Sequence, residues 1–316
     1  MRIEEKKIEF EKHISEKVYE SKKLCFKGID GYTVYNCSIP FQWNGKEYIY
    51  GRVEKYDLWA SSFVRLFEKT GEDEYTLVRD SMIYQLEDPF ISFIQGEMVL
   101  GGTHVRKKKG AIATYYGYFY RGTDLEDLVY FTTGPDFMKD IRLIDMKDGT
   151  IGVFSRPRNR EVLEKYGSAS MIGFARINSL SELSDEVVSN ARPILGLYGN
   201  GEWGGCNQAY LLEGGKIGVI AHQSFSKVDE NGVNQLVYFN TAFEFDPETF
   251  EVSDNKVIGT RKCYPDAPAK RGDLLDVTFT SGIVMREDGK VDLYAGIGDS
   301  EEGRIVINYP FSAPLA

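Results

Sequence analysis

The sequence predicts an all-β fold, a five-bladed β-propeller with a short N-terminal cap, in which residues 1–316 form a single domain. Three observations predict it: glycine-containing turns recur five times, each turn lies between two strand-like runs, and the intervals hold further runs of this kind. A chain of 316 residues is long for one core, but propellers reach this length as one domain. Its 20 Tyr and 19 Phe favour strands over helical bundles.

The five turns carry the signature of β-hairpins, an Asn-Gly, Asp-Gly or related pair between apolar runs. Both central residues of such a turn need positive φ, which glycine and asparagine adopt most readily. A strand-like run follows each glycine: KEYIYG, EMVLGG, TIGVFS, KIGVIA and KVDLYA. The turns are Asn44-Gly45, Gln95-Gly96, Asp148-Gly149, Gly214-Gly215 and Asp288-Gly289.

The spacing of the turns sets the size of the repeat. The glycines at the second position of each pair follow one another at intervals of 51, 53, 66 and 74 residues. Each interval leaves room for about four short strands, the size of a propeller blade. A β-sandwich is the alternative, although it does not need five near-equivalent hairpins. Residues 1–30 do not repeat, and we interpret them as a cap or closing segment. Its apolar residues would line one side of a helix: Ile3, Ile8, Phe10, Ile14 and Val18.

Composition excludes several classes of function. A net charge of −10 argues against a nucleic-acid partner, which selects a basic face. No run approaches the 18 apolar residues of a membrane span, and the N-terminus lacks the apolar core of a signal peptide, so we expect a cytoplasmic protein without a membrane partner. The four cysteines form no CxxC pair and the three histidines are scattered. We therefore expect no metal site and free, buried thiols.

Polar residues recur at matching distances from the turn glycines. Seven residues after each glycine stand Arg52, Thr103, Arg156, His222 and Gly296. Seven to nine residues before it, in three repeats, stand Asp88, Asp140, Arg142 and Asn207. Burying such groups is costly unless they are paired or used. Because ligands bind at the mouth of a propeller channel, we expect these side chains to form one polar funnel there.

Each of these residues also has a structural interpretation. Asp88 precedes Pro89, and an Asp-Pro pair is typical of a strand start. His222 fits a hydrogen-bonded core histidine, and Arg52 and Arg156 fit salt bridges between blades. Trp203 fits core packing, but it also suits the apolar face of a sugar ring beside the neighbouring polar residues Glu202, Asn207 and Gln208.

Several segments together resemble one family. It is the domain of unknown function 1861, grouped with the β-1,2-mannosyltransferase/phosphorylases of glycosyltransferase family 108. The resemblance runs from about residue 23 to Phe311, and the Glu-Asp-Pro motif is shared with the mannoside phosphorylases of glycoside hydrolase family 130. The segments are Gly51-Arg52-Val53-Glu54, Leu86-Glu87-Asp88-Pro89, Met138-Lys139-Asp140-Ile141-Arg142, Phe154-Ser155-Arg156-Pro157, Glu202-Trp203-Gly204-Gly205-Cys206-Asn207, Lys270-Arg271 and Asp276-Val277.

The resemblance implies a five-bladed propeller that transfers mannosyl groups with inversion. The substrates would be oligosaccharides with phosphate or mannose-1-phosphate, and GDP-mannose in some members, so no cofactor is expected. Asp88 would be the catalytic acid/base. The implied phosphate ligands are Lys139, Arg142, Arg156, His222, Lys270 and Arg271, with Arg52 a candidate for either subsite. The implied sugar ligands are Arg52, Glu54, Glu87, Asp140, Glu202, Trp203, Asn207, Gln208 and Asp276.

The residue types favour phosphorolysis over hydrolysis. A hydrolase uses two carboxylates, whereas a phosphorylase needs one acid because phosphate is the nucleophile. Arginine suits a phosphate through its forked donors. Two alternatives stay open: a glycoside hydrolase, which requires Glu54, Asp140 or Asp276 as an unpaired second carboxylate, and a non-catalytic carbohydrate-binding propeller. The chain departs from the related families at residues 55–59 and at Phe90.

Overall fold

The structure is a computed structural model that describes residues 2–158 and 160–316. Within these residues the chain is all-β, with 22 strands, four short α-helices and three 3-10 turns. The α-helices are α1 (Ile3–Glu11), α2 (Ile14–Lys17), α3 (Arg160–Tyr166) and α4 (Asp185–Ser189), and the 3-10 turns are Leu180–Glu182, Arg261–Cys263 and Gly272–Leu274. No helix in the described part of the chain is long and apolar enough to cross a bilayer.

The strands have between two and 12 residues. They are β1 (Val18–Lys23), β2 (Cys25–Lys27), β3 (Thr33–Tyr35), β4 (Phe41–Trp43), β5 (Lys46–Glu54), β6 (Phe63–Gly71), β7 (Glu74–Leu77), β8 (Glu87–Ile94), β9 (Glu97–Lys108), β10 (Ala111–Gly122), β11 (Val129–Thr133), β12 (Arg142–Asp145), β13 (Ile151–Ser155), β14 (Gly173–Ile177), β15 (Arg192–Pro193), β16 (Trp203–Leu211), β17 (Ile217–Val228), β18 (Asn234–Phe245), β19 (Val252–Gly259), β20 (Asp276–Met285), β21 (Lys290–Ile297) and β22 (Glu301–Asn308).

In the described chain most neighbouring strands of a sheet are also consecutive in sequence. One sheet has the order β2-β7-β6-β5-β3 with β4 also on β5, and two four-stranded sheets contain β8 to β11 and β12 to β15. The largest has the order β1-β22-β21-β20-β18-β17-β16, with β19 on β18. This sheet has two halves, one with β16 to β19 and the other with β20 to β22 and β1. The halves are joined where β18 and β20 run parallel and pair at two residue positions. If the two halves of the largest sheet are counted separately, the described strands form five groups, one of six strands and four of four strands.

All five predicted turns connect adjacent strands of one sheet. Gly45 and Gly96 have φ of +76° and +84°, and the residues before them, Asn44 and Gln95, also have positive φ. The prediction that both central residues have positive φ does not hold at Asp148. There the Asp148 carboxylate accepts the Thr150 N–H at 3.0 Å and shapes the turn through its side chain. The hairpin prediction was right, but the turn type differs between repeats.

The N-terminal segment is not one continuous helix. α1 ends at Glu11 and α2 at Lys17, and Val18 already belongs to β1, which pairs antiparallel with the last strand, β22. On α1 the buried residues are Ile3, Lys7 and Phe10, whereas Ile8 is exposed. Ile8 and Val18 were therefore wrongly assigned to one apolar helix face.

The chain divides into two compact units that are interleaved in sequence. Unit 1 comprises residues 1–89, 224–240 and 257–310, and unit 2 comprises residues 90–223, 241–256 and 311–316. The core of unit 1 includes Tyr35, Ile49, Val53 and Phe67, all fully buried. The core of unit 2 is rich in phenylalanine, with Phe154, Phe174 and Phe245 in mutual ring contact. Each unit carries a cluster of polar side chains that are buried or half-buried.

The cysteines differ in burial. Cys37, Cys206 and Cys263 are buried free thiols, as expected from the sequence. The prediction of a buried thiol is wrong for Cys25, which lies exposed on the short edge strand β2.

Candidate active site

The polar cluster of unit 1 surrounds Asp88. We call it the acid group; its members are Asn36, Arg52, Glu54, Glu87, Asp88, Lys270 and Asp299. The Asp88 carboxyl is buried, and its Oδ1 accepts hydrogen bonds from Asn36 Nδ2 at 2.9 Å and from Arg52 Nη1 at 2.8 Å. Two donors on one oxygen fix the orientation of the carboxyl, as an acid/base residue requires.

Backbone strain marks the same position. Asp88 has φ of +49°, Asn36 has +48°, and Asp140 in unit 2 has +58°. Residues other than glycine rarely adopt left-handed φ, and Asn and Asp are the types that tolerate it best. Such strain accumulates at functional sites, where the surrounding structure maintains it. The three residues stand eight or nine positions before a turn glycine, so the repeat carries this conformation.

Arg52 connects the carboxylates of the acid group. Besides Asp88, its guanidinium approaches Glu87 Oε1 at 3.2 Å and donates from Nε to Ser62 Oγ at 2.8 Å. The guanidinium also lies over the Tyr35 ring, 4.7 Å from the centroid. Although burial alone would lower the pKa of Arg52, the carboxylates of Glu87 and Asp88 raise it well above its ordinary value. Arg52 therefore stays charged and rigid.

Glu54 is fully buried and heavily hydrogen-bonded. It accepts the Tyr35 hydroxyl at 2.6 Å, the Ser61 N–H at 2.6 Å and the ammonium of Lys270. Burial would raise its pKa, but the charge of Arg52 and these hydrogen bonds lower it below the ordinary value. Glu54 is thus an ion-paired carboxylate. The acid group contains four carboxylates and two cations, so it is net negative.

The polar cluster of unit 2 has the opposite sign. We call it the basic group; its members are Lys139, Asp140, Arg142, Arg156, Asn207 and His222. Asp140 Oδ2 accepts Arg156 Nη1 at 2.6 Å. Burial would raise the pKa of Asp140, but Arg156, Lys139 and the other neighbouring cations hold it well below its usual range. Three cations against one carboxylate leave the group net positive.

The two arginines of the basic group are buried and fixed by backbone carbonyls. Arg156 Nε donates to Gly204 O at 2.9 Å. Arg142 Nε donates to Asn207 O at 2.6 Å, and its guanidinium lies over the Phe90 ring, 4.6 Å from the centroid. Cations whose orientation is fixed before a ligand arrives lose little entropy on binding it.

His222 is a neutral member of this group. Burial, together with the nearby charge of Arg156, lowers its pKa to about 3. Its Nδ1 lies 2.8 Å from Asn207 Oδ1, and its Nε2 lies 4.0 Å from Asp140 Oδ2. Because an amide oxygen only accepts, Nδ1 carries the proton in this arrangement. Asn207 Nδ2 is buried and, among the described residues, donates no hydrogen bond, so a polar ligand atom would satisfy it.

Gly205 shows how closely the basic group is packed. A Cβ at this position would lie 3.0 Å from both Arg156 Cδ and His222 Cε1. The glycine of the Trp-Gly-Gly segment therefore makes room for the cluster.

The other predicted residues differ in their surroundings. Glu202 is buried and accepts the Gly199 N–H at 2.6 Å, and Gln208 is buried on β16. Trp203 begins β16 and is half-buried. Arg271 is exposed, forms a forked ion pair with Asp273 at 2.9 and 2.6 Å, and stacks on Trp59. Arg271 thus does not share the Glu54 contact of its neighbour Lys270.

Asp276 belongs to a different network. Its Oδ2 lies 3.1 Å from Lys7 Nζ on α1 and 3.2 Å from Lys227 Nζ on β17. These contacts anchor the N-terminal helix. Among the described residues these contacts connect Asp276 to two lysines that are not members of the acid group.

Sequence reasoning missed two members of the acid group, Asn36 and Asp299, and also the buried carboxyl of Glu302. Asn36 stands nine residues before Gly45, the offset at which Asp140 precedes Gly149, so the repeat already contained the signal. Asp299 accepts Asn36 Nδ2 at 3.2 Å, and Glu302 is a buried carboxyl that accepts the Cys37 N–H at 3.1 Å. Burial raises the pKa of Glu302 to about 8. Neither position belongs to a motif.

The candidate second carboxylates are all paired. A hydrolase would require Glu54, Asp140 or Asp276 to activate water. Glu54 contacts Lys270, Asp140 contacts Arg156, and Asp276 contacts two lysines. This pairing favours a reaction whose nucleophile comes from the substrate.

One carboxylate cluster in the described chain has the spacing of a metal site. Its members are Glu20, Glu72 and Asp73. The guanidinium of Arg304 contacts all three, with Nη2 2.7 Å from Glu20 Oε1 and 3.7 Å from Glu72 Oε1. A cation already belongs to the chain at this position.

The chain is similar to a described family and to several solved structures. The family described as "Protein of unknown function (DUF1861)" matches residues 9–313. MPT-4, a mannose phosphorylase from Leishmania mexicana solved with a phosphate ion, is 53% identical with a TM-score of 0.91, over 98% of this chain and 93% of that one. MPT-1, a GDP-Man-dependent mannosyltransferase from the same organism, is 46% identical with a TM-score of 0.91, over 100% of this chain and 98% of that one.

A more distant likeness concerns the fold alone. A glycosyl hydrolase from Bacteroides ovatus is 15% identical with a TM-score of 0.59, over 94% of this chain and 98% of that one. No curated protein sequence matches the chain.

Proposed function

The chain belongs to the DUF1861 family, and we propose that it catalyses inverting mannosyl transfer between β-1,2-linked mannosides and phosphate. It is an enzyme of the glycosyltransferase type. Support for the substrate comes from the mannose phosphorylase and the GDP-Man-dependent mannosyltransferase, which are 53% and 46% identical to it. The observation that carries the proposal is the buried Asp88, whose carboxyl is fixed by hydrogen bonds from Asn36 and Arg52.

Asp88 is the acid in the direction of phosphorolysis. It donates a proton to the glycosidic oxygen while the bond from that oxygen to the anomeric carbon breaks. A phosphate oxygen attacks the anomeric carbon from the opposite face, so the products are mannose-1-phosphate and a mannoside shorter by one residue. In the reverse direction Asp88 accepts the proton of the attacking hydroxyl. One carboxyl is sufficient because phosphate replaces the activated water of a hydrolase.

The basic group is suited to the phosphate. Arg142 and Arg156 are buried, and backbone carbonyls orient their guanidinium groups before a ligand binds. Arginine forks bind phosphate oxygens in pairs. The unsatisfied Asn207 Nδ2 supplies a further neutral donor. We assign the phosphate subsite to these residues.

The five groups of strands suggest the architecture behind this chemistry. We propose that they are the blades of a five-bladed propeller, with one predicted hairpin turn in each blade. Residues of the acid and basic groups then stand at matching distances in sequence from the turn glycines of consecutive repeats.

The dependence of turnover on phosphate tests the function. The protein is incubated with β-1,2-mannobiose with and without inorganic phosphate, and mannose-1-phosphate and free mannose are measured. The proposal predicts mannose-1-phosphate only when phosphate is present. Equal release of mannose in both incubations would identify a hydrolase. If neither occurs, mannosyl transfer from GDP-mannose to the same mannoside is measured, and absence of both activities refutes the proposal.

A further inference from the structure

An exposed aromatic loop follows the acid group in sequence. Residues 55–62 connect β5 to β6 and expose three large apolar side chains: Tyr56 at 46%, Leu58 at 43% and Trp59 at 53%. Three such side chains in four residues form a concentrated apolar patch on the surface of unit 1. Exposed patches of this kind usually mark a binding surface.

Both ends of this loop are fixed to the acid group. Glu54, at the start, accepts the Ser61 N–H at 2.6 Å and the Ser62 hydroxyl at 3.0 Å. The Ser62 oxygen in turn accepts Arg52 Nε at 2.8 Å, and Arg52 donates to Asp88. The loop is thus linked to the proposed catalytic acid through two side chains.

A second segment supports the aromatic rings. The Tyr56 hydroxyl donates to Ala269 O at 2.9 Å, and the Arg271 guanidinium lies over the Trp59 ring, 5.2 Å from its centroid. Arg271 is itself held by the forked ion pair with Asp273. Lys270, between these contacts, bonds to Glu54. The indole is therefore positioned in advance, while about half of its surface faces solvent.

We propose that Trp59, backed by Arg271, is a stacking platform for a pyranose ring of the oligomannoside, next to the sugar whose bond Asp88 cleaves. The inference rests on the proposed function. The C–H face of a pyranose packs on an aromatic ring, and an aromatic side chain loses little conformational entropy on binding. The platform recognises the mannoside chain and takes no part in the chemical step.

The test compares variants on β-1,2-linked mannosides of two to four residues with saturating phosphate. Trp59→Ala raises KM for one or more of these mannosides by about tenfold, changes kcat by less than twofold, and leaves the KM for phosphate unchanged. Trp59→Phe, which keeps a ring, recovers most of the affinity. Leu163→Ala is the control, since it removes an apolar side chain of similar exposure, 51%, on α3 and outside this loop, and it behaves as the wild type.

An unchanged mannoside KM in Trp59→Ala at every chain length would overturn the platform. An effect confined to the KM for GDP-mannose would also overturn it, since the ring would then stack on guanine. Calorimetric binding of the same mannosides to the Asp88→Asn protein, with and without Trp59→Ala, separates this inference from the proposed function. Binding that depends on Trp59, together with no turnover of the same mannosides by the wild-type protein, would refute the function and keep the platform.

Discussion

The buried carboxyl of Glu302 makes the stability of the protein depend on pH in a way that one substitution removes. Glu302 accepts the Ser281 hydroxyl at 3.1 Å and the Cys37 N–H at 3.1 Å, and burial raises its pKa from 4.5 to about 8. Between these two pKa values the folded protein holds a proton that the unfolded chain has lost. Stability therefore falls as pH rises through this window.

The magnitude follows from the two pKa values. They are about 3.5 pH units apart, and each unit corresponds to about 1.4 kcal/mol, so about 5 kcal/mol is lost from below pH 4.5 to above pH 8. Glu302→Gln keeps the shape and one acceptor but cannot ionise. We expect its free energy of unfolding to decline with pH by about 1.4 kcal/mol less per unit than that of the wild type between pH 5 and 8.

Urea unfolding followed by tryptophan fluorescence at pH 5, 6, 7, 8 and 9 measures this difference. Glu301→Gln, at the neighbouring and partly exposed position that pairs with Lys23, is the control and should follow the wild type. Parallel profiles for the wild type and Glu302→Gln would refute the reasoning, because Glu302 would then be ionised in the folded protein.

Two further substitutions test the acid and basic groups. Arg156→Lys keeps the positive charge beside Asp140 but loses the paired N–H donors of the guanidinium. The KM for phosphate should therefore rise by at least about tenfold in initial-rate measurements. An unchanged KM would remove Arg156 from the phosphate subsite. Gly296→Ala would place a Cβ 1.8 Å from Asn36 Oδ1 and so displace the side chain that positions the acid, and kcat should fall by about tenfold or more. The control Gly272→Ala, with no atom within 4 Å of the new Cβ, should keep wild-type kcat. Equal kcat in the two alanine variants would show that Asn36 does not position the acid.

Local sequence signals predicted the hairpins and the buried polar positions well. Turn glycines act on the backbone of their own neighbours, so Gly45 and Gly96 identified hairpins without any tertiary information. The matching distances from the turn glycines identified buried positions for a related reason, since strands of similar length bring equivalent positions to the same depth. Arg52, Arg156 and His222 are accordingly all buried.

The partners of these residues could not be predicted in the same way. Whether Asp276 faces a sugar or a lysine depends on where α1 packs, and its contact with Lys7 joins residues 269 positions apart. Glu302 likewise becomes unusual only when Cys37 and Ser281 enclose it. The exposure of Cys25 depends on its place at a sheet edge. Such contacts arise from tertiary packing, which a local pattern does not encode.

The most direct test of the account is the rate of phosphorolysis with and without the Asp88 carboxyl. Mannose-1-phosphate production from β-1,2-mannobiose and phosphate is compared in the wild type, Asp88→Asn and the exposed control Asp80→Asn. We predict that Asp88→Asn lowers kcat by about 100- to 10,000-fold with an unchanged unfolding midpoint, and that Asp80→Asn matches the wild type. Phosphorolysis at the wild-type rate in Asp88→Asn would contradict the assignment of Asp88 as the acid/base residue.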